Sequence, residues 1–340
     1  MLVSNLVEFR ISQVIAAALF VSAALLSTRY AWSEVPAEQR SAKGDSAIET
    51  VKPAAAPSSD ADRQALWQQA IDSIEKNYAE IKTVQGTLEQ IAIDPAVDKR
   101  ETVTMKLANG TATTTFAPVS ISRNVFTVKG NDLRSDSYGR NKDEWTLGGK
   151  TSRRGDVWTF FHPQEPWVQI KRTVHLGGES PFDPRNYGGQ SEKHGLLDQM
   201  RRGRPLEVVS RANKWQIRTE IIEDVQYAYR KGHQHSYVLD PAMNYLPTQV
   251  ISYCDDGSIN IVQELTYDEV IPHKAWFMRE WAEKLFHPDK KVADASSNQW
   301  RNLIIARIVG PLRIDEDVKD NVFDIQFPPG TRISDMVHRR

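Results

Sequence analysis

The chain has 340 residues, enough for one large β domain or two smaller ones. Its 43 basic and 44 acidic side chains leave a formal net charge of −1. Proteins that bind nucleic acid gain much of their affinity by neutralising phosphates, so this balance argues against a nucleic-acid partner. A single cysteine, Cys254, excludes an intramolecular disulfide, and the core must therefore be held by apolar burial.

Residues 1–33 have the features of a secretory signal peptide. Residues 11–26 are almost wholly apolar, Arg10 precedes them, and Ala31 and Ser33 supply small side chains for a cleavage site. The apolar run is short for a membrane-spanning helix. The alternative is an uncleaved anchor in the inner membrane. Both interpretations predict that the body of the protein lies in the periplasm.

Residues 34–61 are rich in Ala, Pro, Ser and charged side chains, which is typical of a disordered linker. Residues 62–338 are expected to form a single β domain with an insertion at 181–204. This domain begins with a helix for which Ser59 or Asp60 provides an N-cap. Apolar side chains recur at three- and four-residue intervals along this helix: Leu66, Ala70, Ile71, Ile74, Tyr78 and Ile81.

Short strand patterns dominate from Val84 onward. Alternation over residues 103–107 is followed by Asn109-Gly110, which predicts a hairpin. Two further turns are expected at residues 240–242, where Pro241 presets φ, and at residues 255–257, which end in glycine. About ten such strands at short spacing favour a barrel or a strongly curved sheet.

The strand after the turn at residues 255–257 alternates with a period of two, which predicts one buried face. That face consists of Ile259, Ile261, Leu265 and Tyr267. Residues 275–288 carry aromatics at helical spacing, but their position between strands favours another strand.

The insertion at 181–204 contains a second helix in this interpretation. Leu196, Leu197 and Met200 share one side, Ser191 lies at its start and Gly203 follows its end. The predicted fold class is therefore α+β: a curved, mostly antiparallel, incomplete β-barrel, covered by the N-terminal helix and by the helix of the insertion. The insertion is a candidate lid.

Sequence motifs for catalysis are absent. The chain has no HExxH, no G-x-S-x-G, no P-loop and no G-x-G-x-x-G, so no catalytic residue and no cofactor are predicted. His233 and His235 point the same way in a strand and could share a metal, but a third ligand cannot be assigned. Exposure in a hairpin is the simpler interpretation. The paired acids at 223–224, 255–256 and 315–317 are interpreted as turn formers.

Aromatic and aliphatic residues provide the remaining signal. Strand alternation turns several of them toward one face, where they either fill a core or line a cavity for an apolar ligand. The two alternatives cannot be separated from the sequence. The candidate cavity residues are Trp145, Trp158, Phe160, Trp215, Ile217, Tyr227, Tyr229, Tyr237 and Leu239.

Five stretches carry a family resemblance: residues 78–89, 157–163, 182–188, 237–247 and 321–335. Through them the chain resembles the LolA/LolB-like lipoprotein-carrier superfamily, and more closely its large members of the outer-membrane lipoprotein-sorting type. The resemblance implies an incomplete antiparallel barrel, closed on one side by helices, around an apolar cavity for acyl chains. No cysteine lies near the cleavage site for the attachment of a lipid, so a soluble periplasmic carrier is expected.

The sequence thus predicts a non-enzymatic periplasmic carrier. Its ligand would be a lipid or a lipoprotein acyl chain, and envelope proteins are further candidate partners. One alternative is an envelope structural or interaction protein of the same fold with a filled core. A third hypothesis, which the motif census disfavours, is a hydrolase with an unrecognised site.

Overall fold

The computed structural model describes residues 57–93, 101–107, 110–116, 119–141, 144–164, 166–172, 195–224, 230–297 and 299–337. The predicted signal peptide and almost all of the linker lie outside these ranges. So do residues 181–194 of the insertion, including Ser191, and the candidate residues Tyr227 and Tyr229.

Two α-helices and sixteen strands make up the described chain. Helix α1 (Asp60–Ala79) precedes β1 (Thr83–Ile93), β2 (Glu101–Leu107), β3 (Gly110–Phe116), β4 (Val119–Lys129), β5 (Asp132–Asn141), β6 (Glu144–Arg154), β7 (Val157–His162) and β8 (Trp167–Lys171). Helix α2 (Leu196–Arg201) precedes β9 (Gly203–Arg211), β10 (Lys214–Ile221), β11 (Gln234–Asp240), β12 (Leu246–Tyr253), β13 (Ile259–Ile271), β14 (Ala275–Phe286), β15 (Trp300–Ile314) and β16 (Arg332–Asp335).

Fourteen of these strands form one open sheet. Their order is β16, β8, β7, β6, β5, β4, β1, β15, β14, β13, β12, β11, β10, β9, and β2 pairs only with β3. Neighbours are antiparallel except β16 and β8, which are parallel. The number of strands exceeds the ten that were expected. Polar strands such as β5 (DLRSDSYGRN) lack an apolar alternation, and their strand structure depends on ladder hydrogen bonds to both neighbours.

The sheet is curved around a large hydrophobic core. Phe126 on β4 and Phe277 on β14 stack with ring centroids 6.3 Å apart. Two strands lie between β4 and β14, so a flat sheet would separate them by about 14 Å. The side chains therefore converge on a concave face, which we define as the face that carries Phe126, Phe277 and Tyr237. The predicted α+β incomplete barrel is confirmed.

Helix α1 fills the middle of this concave face. Its N-cap is Ser59, whose Oγ accepts a hydrogen bond from the Asp62 amide at 3.1 Å, as the sequence predicted. The buried side follows helical spacing through Trp67, Ala70, Ile71 and Ile74. An amphipathic helix that covers the concave face of a sheet explains why an open barrel can be stable without closure.

Helix α2 is shorter than the insertion pattern indicated. Its N-cap is Gly195, and Gly203 already belongs to β9. Leu196 and Met200 are buried in the same core cluster as α1. The prediction of a strand at residues 275–288 is confirmed by β14.

The convex face of the sheet is also partly covered. The hydroxyl of Ser152 donates to the Phe323 carbonyl, and Ile325 packs against Phe161 and Val168. Farther along the sheet, Val292 packs with Ile251, Ile259, Val262 and Phe286.

The prediction that β13 has one buried face was therefore wrong. Ile259 packs on the convex side with Val262, whereas Leu265 belongs to the concave cluster. The register between β12 and β13 shifts between Ser252 and Tyr253, which adds one residue to β13 and turns Ile259 to the other face.

Candidate functional site

The candidate site is the concave face and the helix that covers it. Apolar side chains from both halves of the sheet reach this face and pack against α1. The strands contribute Leu88, Phe126, Val208, Trp215, Ile217, Tyr237, Leu239, Leu246, Val250, Leu265, Phe277, Met278, Trp281, Ala306 and Ile308.

Both ends of α1 are fastened by side-chain hydrogen bonds. Near the start, Trp67 Nε1 donates to the carbonyl oxygens of Met200 (3.1 Å) and Gly203 (3.0 Å). Near the end, Asn77 Nδ2 donates to the Trp276 carbonyl at 2.9 Å, and Asn77 Oδ1 accepts from the Trp276 amide at 2.8 Å. Between these two points the contacts of the helix with the sheet are apolar.

The connection from α1 to β1 is held by Asp315. One carboxylate oxygen of this residue accepts from the amides of Lys82 (2.8 Å) and Thr83 (3.2 Å). Asp315 is one of the acids at 315–317 that were interpreted from the sequence as turn formers, and it stabilises the turn that connects α1 to β1. The arrangement fixes the start of β1 and leaves the short segment before Lys82 as the place where α1 could pivot.

Four of the predicted cavity residues lie together. In the β10–β11 register Trp215 is opposite Leu239 and Ile217 is opposite Tyr237. All four belong to the concave cluster, and the Tyr237 ring lies 5.3 Å from that of Trp67 on α1. Their common face and their contact with α1 make them candidates for contact with any ligand that displaces the helix.

Trp158 and Phe160 lie farther along the same face. Their rings stack at 6.0 Å on β7, and Trp158 packs against the concave cluster. Two cations cover them: the Arg153 guanidinium lies 5.0 Å from the Trp158 ring and Lys171 Nζ lies 4.6 Å from the Phe160 ring. This end of the sheet therefore combines aromatic and basic groups.

Trp145 does not join the other candidates. Its ring lies 4.0 Å below the guanidinium of Arg123. Arg123 is an odd number of residues from Phe126 on β4, so it projects from the opposite, convex face. A bulge between β5 and β6 breaks the simple alternation in this region, which is why sequence parity did not separate Trp145 from Trp158.

Sequence reasoning missed the polar groups of the concave face. Thr219, His235 and Ser252 are opposite one another in register across β10, β11 and β12, and all three are buried. Burial, and secondarily the neighbouring His233, lowers the pKa of His235 to about 3. His235 is therefore neutral at physiological pH, and its side chain is not exposed in a hairpin.

A second polar pair lies in the adjacent row of the same face. Gln263 Nε2 donates to Glu283 Oε2 at 2.7 Å, and Val250 separates this pair from Tyr237. Burial raises the pKa of Glu283, and the hydrogen bond from Gln263 acts in the opposite direction. The sequence pattern of these strands does not show that polar side chains lie on their buried face, so this row could not be predicted.

The rings of His233 and His235 lie 5.0 Å apart, but within the described ranges no three His, Cys, Asp or Glu side chains come together as metal ligands.

The side of α1 that faces solvent, opposite its buried side, lines an open groove of about 450 Å³. Most of its side chains are polar: Ala65, Gln68, Gln69, Asp72, Ser73 and Lys76.

Across the described part of the chain, no helix is both long enough and apolar enough to pass through a bilayer.

Comparison with known proteins gives similarity to solved structures only. No family model matches the chain, and no curated protein matches it. An outer-membrane lipoprotein-sorting protein domain from Vibrio parahaemolyticus is 14% identical, with 76% of this chain and 97% of that chain covered and a TM-score of 0.44.

A LolA superfamily protein from Nitrosomonas europaea is 10% identical over 76% of this chain and 97% of its own, with a TM-score of 0.45. The Mycobacterium tuberculosis lipoprotein LppX is 9% identical over 77% of this chain and 99% of its own, with a TM-score of 0.27. One of these structures carries the name of the superfamily that the chain resembles in sequence.

Proposed function

We propose that this protein is a non-enzymatic periplasmic carrier that shields an apolar ligand, a lipid or the acyl chain of a lipoprotein, against the concave face of its sheet. The observation that carries the proposal is the single amphipathic helix that occupies this face. Its apolar side, Trp67 to Ile74, covers an apolar surface built from both halves of the sheet. An acyl chain is apolar, as that side of the helix is, and could take its place against the sheet.

The proposed mechanism is displacement of α1. The helix is fastened at Trp67 and Asn77, and the chain before Lys82 allows it to pivot. Moving it away exposes apolar side chains of the helix and the sheet. Burial of an acyl chain contributes about 0.8 kcal/mol per methylene, so a long chain can offset much of that exposure without specific polar contacts.

Several features of the chain support a binding role and an envelope location. The concave face offers an apolar surface under a single covering helix, which is the arrangement that a carrier of an apolar ligand needs. Residues 1–33 are proposed to direct export, either as a cleaved signal or as an anchor, and residues 34–61 to link that segment to the domain at 62–338.

An alternative function is an envelope structural or interaction protein with a permanently filled core. The close burial of the concave cluster favours it: Trp67, Ile74, Leu88 and Tyr237 are almost completely inaccessible to solvent. In this alternative α1 is a fixed part of the core and the binding surface lies elsewhere.

Native mass spectrometry and lipid extraction of the processed protein, purified from cells, would divide the two functions. A carrier should retain lipid of defined mass, and the stripped protein should bind a fluorescent fatty-acyl probe with an affinity that rises with chain length. If the protein contains no lipid and does not bind such probes, the carrier function is wrong and the alternative is favoured.

A further inference from the structure

We propose that Gln199 and Thr219, together with the neutral His235, form a polar subsite that binds the uncharged, oxygen-bearing head of the apolar ligand, a hydroxyl or ester group. This inference rests on the proposed carrier function and adds a ligand class to it. These three residues are called the interior polar cluster below.

The first observation is the location of Thr219. Its Cα is paired with that of His235 across β10 and β11, so both side chains project from the concave face. A Cβ built on Gly203 would lie 3.5 Å from Thr219 Oγ1 and 3.3 Å from the Met200 carbonyl. The hydroxyl therefore lies beside the backbone that Trp67 uses to fasten α1, at the boundary between the helix and the sheet.

The second observation is the location of Gln199. It lies on the buried side of α2, between Leu196 and Met200 at helical spacing, and both neighbours belong to the concave cluster. Its side chain is completely buried, as is that of Thr219. An amide and a hydroxyl are thus present at the edge of an otherwise apolar surface.

The polar atoms of these two side chains have no partner within the described protein. Gln199 Nε2, Gln199 Oε1 and Thr219 Oγ1 are buried and make no hydrogen bond there. Buried polar side-chain atoms are mostly hydrogen-bonded in folded proteins, because an unpaired one loses its interaction with water without compensation. An amide nitrogen that donates, an amide oxygen that accepts and a hydroxyl that does both are suited to a ligand group that both donates and accepts.

The charge of the surrounding face selects the class of head group. In the two rows around the cluster, His235 is neutral, and Tyr237 and Glu283 cannot be cations. His233, whose ring lies 5.0 Å from that of His235, contacts the Tyr253 carbonyl through Nε2. The basic side chains at the end of α2 are paired with acids, Arg201 with Glu75 and Arg202 with Asp198. Arg218, next to Thr219 in sequence, projects from the other face and bonds to Gln234. A buried phosphate or carboxylate would have no counter-ion here, whereas a neutral head would need none.

The experiment compares two ligands with the same chain, 1-monooleoylglycerol and oleyl phosphate, as competitors of a fluorescent acyl probe on the delipidated protein at pH 7.5. Monooleoylglycerol is expected to bind at least about ten-fold more tightly. The variants Thr219→Val and Gln199→Met keep side-chain volume and remove the polar atoms. Each should weaken monooleoylglycerol binding by about five- to ten-fold, which is the worth of one hydrogen bond, and should leave oleyl phosphate unchanged.

Thr127→Val is the matched control, since Thr127 is a buried threonine on β4 that projects from the convex face. Thermal unfolding of the ligand-free variants checks that they fold. Equal affinities for the two ligands would overturn the inference. Variants that bind monooleoylglycerol with the affinity of the parent would also overturn it, because the buried polar atoms would then bind water and not the ligand. If the acyl probe itself does not bind, the carrier function fails as well, so the two failures are distinguishable.

Discussion

Asn77 and Trp276 exchange two hydrogen bonds. The side-chain Nδ2 of Asn77 donates to the Trp276 carbonyl at 2.9 Å, and its Oδ1 accepts from the Trp276 backbone amide at 2.8 Å. The asparagine side chain thus imitates a strand residue and joins the end of α1 to the start of β14. Asn244 adds a third bond to the same oxygen at 3.1 Å. Together with the hydrogen bond from Trp67 to the Gly203 carbonyl on β9, this junction sets the orientation of the helix on the sheet.

Asn77→Ala should therefore loosen α1. The loss of these bonds, including the unpaired Trp276 groups, is expected to destabilise the protein by about 1–3 kcal/mol, as measured by urea denaturation. In a carrier it should also speed the uptake of a fluorescent acyl probe in stopped flow, since the helix leaves more readily. Gln68→Ala, on the exposed side of the same helix, is the control. A destabilised variant with unchanged uptake would argue against opening through α1.

Trp67→Phe tests the other end of the helix. The phenyl ring retains most of the apolar contact but cannot donate to the carbonyls of Met200 and Gly203. We expect a loss of stability of about 2 kcal/mol, from the missing bonds and a small cavity. Denaturation midpoints would measure it. A variant as stable as the parent would show that these bonds contribute nothing to the docking of α1.

Acid should unfold the protein partly through His235. The pKa of this side chain is about 3 in the folded protein and near 6.5 when unfolded, so the unfolded chain binds the proton first. The free energy of unfolding therefore falls as pH drops from about 6.5 toward 3, by about 3 kcal/mol at pH 4, and His235 has no effect above that window.

His235→Gln should flatten this dependence, measured as stability against pH from 8 to 4. Glu283 has a raised pKa and acts with the opposite sign, because stability falls as pH rises from 4.5 to that raised value. Its contribution is common to both proteins and cancels in the comparison. The exposed His273 provides the control substitution to Gln. Parallel pH curves for parent and His235→Gln would refute the assignment.

Ser59→Ala should shorten or fray the start of α1. Ser59 Oγ accepts from the Asp62 amide, and the loss of an N-cap costs about 1 kcal/mol. Hydrogen exchange of the first helical turn should rise, while exchange in β14 stays the same. If the exchange of β14 rises equally, α1 and the sheet open as one unit and not separately.

Sequence patterns predicted local structure well where one physical rule dominates. Ser59 as N-cap, the turn at Pro241 and the strand at residues 275–288 are all present. The patterns failed where contacts with neighbouring strands determine the local structure. Strand β5 is mostly polar, with Leu133 buried in the core, and is stabilised by pairing to β4 and β6. A single bulge turned Ile259 to the face opposite Leu265.

The candidate site was predicted only in its apolar part. Trp215 and Tyr237 could be assigned to one face by strand alternation. Thr219 shares the alternation of Trp215, but the burial of its hydroxyl and of the Gln199 amide was not predicted, because a polar residue is usually exposed. Their burial depends on packing between elements far apart in sequence. Trp67 was overlooked for a related reason: the helical stripe was drawn through Leu66, which is less buried.

The central position of β1 has a consequence for how the chain folds. Ile91 on this strand pairs with Ile305 on β15, more than two hundred residues away, and β1 directly follows the helix that fills the core. Pairings this distant in sequence slow folding, because a very large loop must close before they form. The first-emerging strand must therefore wait, with an unpaired edge, until nearly the whole chain has been delivered. Until then the edge of β1 can pair with other chains, so a truncation before residue 300 should aggregate and not fold into a smaller barrel.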